Sequence, residues 1–274
     1  MMKNQILKKK EIDMSMLGVI IGVFITKGGN AKTTTVLEMA YSLRRIWQKS
    51  VLLIDLDGQM SASSFLNTQK EDSIGSIFEV LTGERKIADV IQKGNDFDFI
   101  ASSVKLNDVE AFLSSGVGKD RLLKEKICEI GKKYDVIIID FPPAASKLSI
   151  CGMTALNKLI LTCQPDPFSI YSLSSTNELY LAVKKYLNPS IELAGILISR
   201  YKKTLLSEEI VKAIEEIAEN IGTFVYKSRL RESVLVREAQ LAKTSVLKYA
   251  GNSPVASDIL EFMDEFGERY GKEI

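Results

Sequence analysis

Runs of consecutive apolar residues alternate along this chain with segments in which apolar positions recur every three or four residues. The runs fall near residues 18–26, 51–56, 97–102, 135–139, 157–163, 191–198 and 223–226. Stretches such as Val51-Leu52-Leu53-Ile54 and Val136-Ile137-Ile138-Ile139 have no polar alternation, so both faces must be covered, as in a buried parallel strand. Helical spacing predicts helices near 33–48, 74–82, 119–133, 168–187, 206–220 and 254–270. Strands alternating with helices predict an α/β fold, a mostly parallel twisted sheet with helices on both faces. Residues 58–64 and 116–118 read as flexible loops. No repeat, low-complexity tract or linker divides residues 17–274, which read as one domain. The basic, polar residues 1–16 read as a flexible tail.

The polar residues that interrupt this pattern gather at strand ends. Lys27-Gly28-Gly29-Asn30-Ala31-Lys32-Thr33-Thr34 joins the first strand to the first helix. A glycine-bearing loop there suits a phosphate: backbone N–H groups and the helix dipole face the anion, and Lys32 supplies a point charge. Thr33 is placed to ligate Mg²⁺ with its hydroxyl. Lys27 is a lysine that an ordinary phosphate loop lacks. The second strand ends in Asp55 and Asp57; the run at 135–139 ends in Asp140 and is stopped by Pro142 and Pro143. Ligands of open α/β sheets sit outside the carboxyl ends of the strands. Two lysines and three aspartates therefore converge on one edge.

Composition narrows the chemistry. The chain has no histidine, which rules out Ser-His-Asp or Cys-His catalysis and His-ligated metals within it. Phosphoryl transfer suits the remaining inventory, because it depends on positioning and electrostatics. Three scattered cysteines are too few for a disulfide framework or zinc site and read as thiols in a reducing compartment. There is no run of 18 apolar residues and no signal-peptide pattern at the start, so the expectation is a cytoplasmic enzyme without a membrane anchor.

Three motifs together carry a family resemblance: Lys-Gly-Gly-x-x-Lys-Thr-Thr at residue 27, Val-Leu-Leu-Ile-Asp-x-Asp-x-Gln at 51, and Tyr-Asp-x-Ile-x-Ile-Asp-x-Pro-Pro at 134. The sequence resembles the ParA/Soj/MinD group of deviant Walker A ATPases over about residues 17–270, and the ParA/Soj partition branch most. Residues 230–246, with Val234, Glu238 and Ala239, loosely match a further family segment. The resemblance implies a slow ATPase using ATP and Mg²⁺. Lys27, Gly28, Gly29, Asn30, Ala31, Lys32, Thr33 and Thr34 would bind the nucleotide; Thr33, Asp55 and Asp140 would serve the metal, Asp55 from behind. Asp57 would position the attacking water, and Lys27 would reach the nucleotide of the other subunit in an ATP-dependent homodimer. The implied partners are non-specific DNA and a ParB-type centromere-binding protein, with the protein associated with the nucleoid.

Two departures qualify this. Ala31 stands where the family has glycine, which costs about 1–2 kcal/mol if the loop needs a left-handed residue there. Gly58 replaces the usual proline before Gln59. The alternative reading is a divergent nucleotide-gated regulator that binds ATP and hydrolyses it little or not at all.

The net charge of +1 does not announce a nucleic-acid binder. Local charge does more: residues 226–248 hold six basic groups against Glu232 and Glu238. Arg229, Arg231, Arg237 and Lys243, with Arg200, Lys202 and Lys203 after an earlier strand, are the candidate DNA contacts. A membrane-binding relative would end in a basic amphipathic helix; here 257–270 pairs its apolar face with Asp258, Glu261, Asp264, Glu265 and Glu268, and reads as a docked core helix. An iron–sulfur relative needs a cysteine after Pro143, and 144–146 has none. A metabolic ligase on this scaffold lacks the extra lysine as a rule.

Overall fold

In the computed structural model, residues 17–66 and 74–274 are described; the tail expected at 1–16 lies outside them. Eight strands form one sheet in the order β3-β4-β2-β5-β1-β6-β7-β8. They are β1 (Val19–Phe24), β2 (Val51–Asp55), β3 (Ile91–Lys93), β4 (Asp98–Ile100), β5 (Val136–Asp140), β6 (Lys158–Cys163), β7 (Glu192–Tyr201) and β8 (Val225–Arg231). Every pair is parallel except β3 with β4. The central strands are buried throughout, as uninterrupted apolar runs require. Register aligns Asp55 with Asp140 at the carboxyl ends of β2 and β5.

Helices cover both faces: α1 (Lys32–Arg45), α2 (Ser61–Leu66), α3 (Ile77–Thr82), α4 (Val109–Ser114), α5 (Leu122–Cys128), α6 (Lys147–Ala155), α7 (Pro167–Tyr186), α8 (Leu205–Asn220), α9 (Val234–Leu241), α10 (Val246–Tyr249) and α11 (Pro254–Tyr270). Alternate residues of one strand feed separate cores. Ile20 and Phe24 join one; Ile21 and Val23 join the other, with α1 and α11.

α11 docks as its apolar face suggested. Val255, Ile259, Phe262, Met263 and Phe266 are buried, and the helix packs on β8 and α1. Among the described residues no helix is long and apolar enough to cross a membrane. Two of its acids serve the outermost strand. Glu265 accepts from the backbone N–H of Lys227 and Ser228, and Asp258 from that of Arg231.

Some elements differ from the sequence reading. The helix expected over 119–133 is α5 alone, flanked by 3₁₀ turns at Lys119–Arg121 and Gly131–Lys133; Gly118 and Gly131, both at positive φ, limit it. The loop read at 58–64 gives way at Ser61 to α2, whose Ser63 is buried against Asp55. That tertiary bond outweighs the poor helix propensity of three serines. β3, α4, α6, α9 and α10 have no counterpart among the expected elements.

Candidate functional site

The loop after β1 is built to stay open at α1. Gly29 has φ 78, and Ala31, the residue before α1, has φ 57. Alanine therefore does occupy the left-handed conformation that favours glycine. Ala31→Gly is expected to stabilise the protein by about 0.5–1 kcal/mol, the relief of roughly 1–2 kcal/mol of left-handed strain less the conformational freedom of glycine. Urea unfolding measures it; a stability lowered by the full cost of glycine's freedom, about 0.5–1 kcal/mol, would mean that position 31 carries no strain. The first turn of α1 holds no acid and no side-chain cap, which leaves its N–H groups for an anion.

Asn30 fastens the loop from within. It is fully buried. Its Nδ2 donates to the carbonyls of Lys27 and Gly28, at 3.2 and 3.3 Å, and its Oδ1 accepts from the N–H of Gln164, at 3.0 Å. Ser199 Oγ on β7 donates to the Asn30 carbonyl, at 3.1 Å. Asn30 thus positions the loop against β6 and β7. At Gly28 an added Cβ would meet only Pro143, at 3.9 Å, so packing within the chain does not demand glycine there.

The predicted residues converge. Thr33 Oγ1 donates to Asp140 Oδ2, at 2.8 Å, while Asp140 Oδ1 is buried with no partner among the described residues. Burial and the neighbouring Asp55 hold the Asp140 carboxyl well above the usual carboxylate range; the Thr33 hydroxyl and Lys32 pull it back. Lys32 is itself buried, which lowers its pKa against the opposing pull of Asp140 and Asp57. A buried carboxylate with a spare oxygen beside a hydroxyl suits a hard dication. No group of three or more Asp, Glu, His or Cys among the described residues could hold a metal unaided. A Mg²⁺ here would take its other ligands from phosphate and water.

Asp55 stands one step back. Its Oδ2 accepts from the N–H and hydroxyl of Ser63, at 2.8 and 2.7 Å, and its Oδ1 from the N–H of Asp57, at 2.9 Å. With both oxygens engaged, it shapes the segment that presents Asp57. Ser102 Oγ holds the Asp57 carbonyl, at 2.7 Å. The Asp57 carboxylate is then half-buried, accepting, among the described residues, from the Gln59 N–H. A Cβ on Gly58 would fall 2.5 Å from Oδ1 of exposed Asn107, the end of a side chain that can turn aside, so packing does not demand glycine here either.

Lys27 is held within its own chain. Its Nζ donates to Asp166 at the start of α7, at 2.6–2.7 Å, and lies 5.8 Å from the Phe168 ring centre. Thr34 Oγ1 accepts from Gln240 of α9, at 3.0 Å. Ser63, Ser102, Gln164, Asp166 and Gln240 escaped the sequence reading, because single polar residues in loops and on helices have no periodic signature. Gly28–Thr34, Asp57, Pro143 and Gln240 line a cavity of about 810 Å³ that runs from the loop to α9 and α11. That is the size of a cofactor-scale pocket.

The seven basic candidates do not form one free cationic face. Arg231 grips Asp258 with two nitrogens, each at 2.6 Å, and Arg229 pairs with Glu208, at 3.1 Å, lying over the Tyr201 ring. Both brace the fold. Arg200, Lys202 and Arg237 gather around Glu232. Lys203 is exposed, with its charge acting on Glu208, and Lys243 lines the cavity.

Comparison with known proteins fits this architecture. A family model described as an AAA domain matches residues 18–193. The chain is 28% identical over 252 residues to the sporulation initiation inhibitor protein Soj of Bacillus subtilis (strain 168), covering 91% of this chain and 98% of Soj. It is 30% identical over 245 residues to the virulence plasmid ParA family protein pGP5-D of Chlamydia psittaci, covering 87% and 90%. Among solved structures it resembles the cobyrinic acid a,c-diamide synthase of Mycobacterium smegmatis with bound ATP analog and magnesium. That likeness has a TM-score of 0.79 at 24% identity, covers 93% and 96% of the two chains, and bears on the fold alone.

Proposed function

This chain belongs to the ParA family of AAA-domain proteins within the ParA/MinD superfamily, and from that footing we propose that it is an ATP-dependent dimerising switch for DNA partition. The observation that carries the reading is Thr33 on Asp140: Thr33 lines the cavity with the rest of the Gly28–Thr34 loop, and the spare Asp140 oxygen is buried on the far side of that hydrogen bond. ATP is the substrate. The loop N–H groups and α1 receive its phosphates, and Lys32 neutralises them. Thr33 and Asp140 would hold Mg²⁺, which balances charge on the β- and γ-phosphate oxygens when bound. Asp57 orients the attacking water and takes its proton.

Lys27 leaves Asp166 to reach the nucleotide of a second subunit across a face-to-face dimer. The room beside Gly28 is what such a close approach of another chain requires. The ATP dimer binds DNA without sequence preference at the nucleoid, and a ParB-type partner stimulates hydrolysis and dissolves it. Ala31 in a strained conformation supports slow turnover.

Size exclusion with light scattering tests the switch, using no nucleotide, ADP–Mg²⁺ and ATP–Mg²⁺. A dimer with ATP alone is expected; a monomer throughout would sink the reading. Phosphate release with DNA and partner then separates a slow ATPase from a regulator that only binds ATP.

A further inference from the structure

Charged side chains cluster where β7 and β8 end. The pairing of these strands shifts register between Ile198 and Tyr201, and Arg200 sits inside the irregularity with φ 50. A bulge that places a non-glycine residue in a costly conformation re-aims its side chain. Arg200 is turned onto Glu232, with Nη2 2.7 Å from Oε1. Lys202, from the loop after β7, closes on the other oxygen of the same carboxylate. Arg237, from α9, stands 3.9 Å away. One acid thus faces three cations from three segments. Its side chain is 19% exposed, whereas theirs are 46%, 70% and 74% exposed. Arg200, Glu232 and Arg237 also line the cavity that holds the phosphate loop.

We propose that Glu232 is an internal competitor of the phosphodiester backbone, set to withhold Arg200, Lys202 and Arg237 from nucleic acid until nucleotide enters the shared cavity. A phosphate oxygen seeks the same N–H donors that the carboxylate already occupies. Exposed ion pairs are individually weak, so another anion can replace this one. The negative charge of ATP in the same cavity repels Glu232 and attracts Arg200, which loosens the cluster from one side. Arg229 and Arg231 take no part, being tied to Glu208 and Asp258. The inference rests on the DNA-binding reading above and adds the element that controls it.

Fluorescence anisotropy with labelled duplex DNA of arbitrary sequence tests this for the parent, Glu232→Gln and Glu216→Gln. Glu216 is an exposed acid of α8, so its variant has the same net charge. Each protein is titrated with and without ATP–Mg²⁺ over a salt series, with ATP affinity and thermal melting recorded alongside. The parent should need ATP to bind DNA. Glu232→Gln should bind without it, with a slope of log affinity against log salt steeper by about 1–3, one for each backbone phosphate that a released cation neutralises. Glu216→Gln should follow the parent. Identical behaviour of the two variants overturns the inference while DNA binding by the parent stands. Absence of DNA binding by every protein, with and without ATP, overturns the DNA reading and the inference with it.

Discussion

Lys32→Ala should lower ATP affinity by about 100-fold, since a charge-assisted hydrogen bond to a buried anion contributes roughly 1.5–3 kcal/mol and each 1.4 kcal/mol is tenfold. The local electrostatics push the loss to the upper end of that range. Lys32 is buried and is the cation that Asp140 and Asp57 both act on. Without it, carboxylates face an incoming polyphosphate with less to offset the repulsion. Isothermal titration calorimetry reads the loss. Lys32→Met keeps most of the hydrocarbon stem, so it separates charge from packing. Parent-like binding by the methionine variant would remove Lys32 from phosphate recognition.

Asp57→Ala should behave differently: dimerisation with ATP retained, phosphate release reduced by about 10²–10⁴, the usual contribution of a positioned proton acceptor. The structure explains why the two can be separated. The backbone of Asp57 is pinned by others, its N–H by Asp55 and its carbonyl by Ser102. Among the described residues its carboxylate supports only the N–H of exposed Gln59, for which water substitutes. Removing the side chain therefore leaves the segment in place. Single-turnover phosphate release beside light scattering measures both properties. Turnover at the parent rate would exclude Asp57 as the residue that handles the water, and loss of the dimer would make its role structural.

The central strands were legible because burial on both faces leaves an unbroken apolar run, and the same logic placed the strand-end aspartates together. β3 was not, since three residues at an edge carry no periodicity. α2 and α6 were not, because serines and small residues carry little helical signal; Ser63 is fixed by a tertiary bond to Asp55, and Ser149 by a local one to the Ala144 carbonyl just before α6. The conformation of Ala31 could be framed from sequence only as a condition. Charge was the hardest to read. Counting basic residues along 226–248 overlooked Glu208 and Asp258, which are remote in sequence and face Arg229 and Arg231 in space. The difference between a cation available to a ligand and one holding the fold is a three-dimensional fact.

The outer strands of the sheet limit how copies of this chain can assemble. One edge is β3, three residues long, too short to template a neighbour. At the other, carboxylates from α11 already accept from the N–H groups of Lys227, Ser228 and Arg231 on β8. An unguarded edge is where strands of separate molecules zip together. Here both rims are blunted, so any polymer of this protein must grow by stacking faces, leaving its β-hydrogen bonding confined within each molecule.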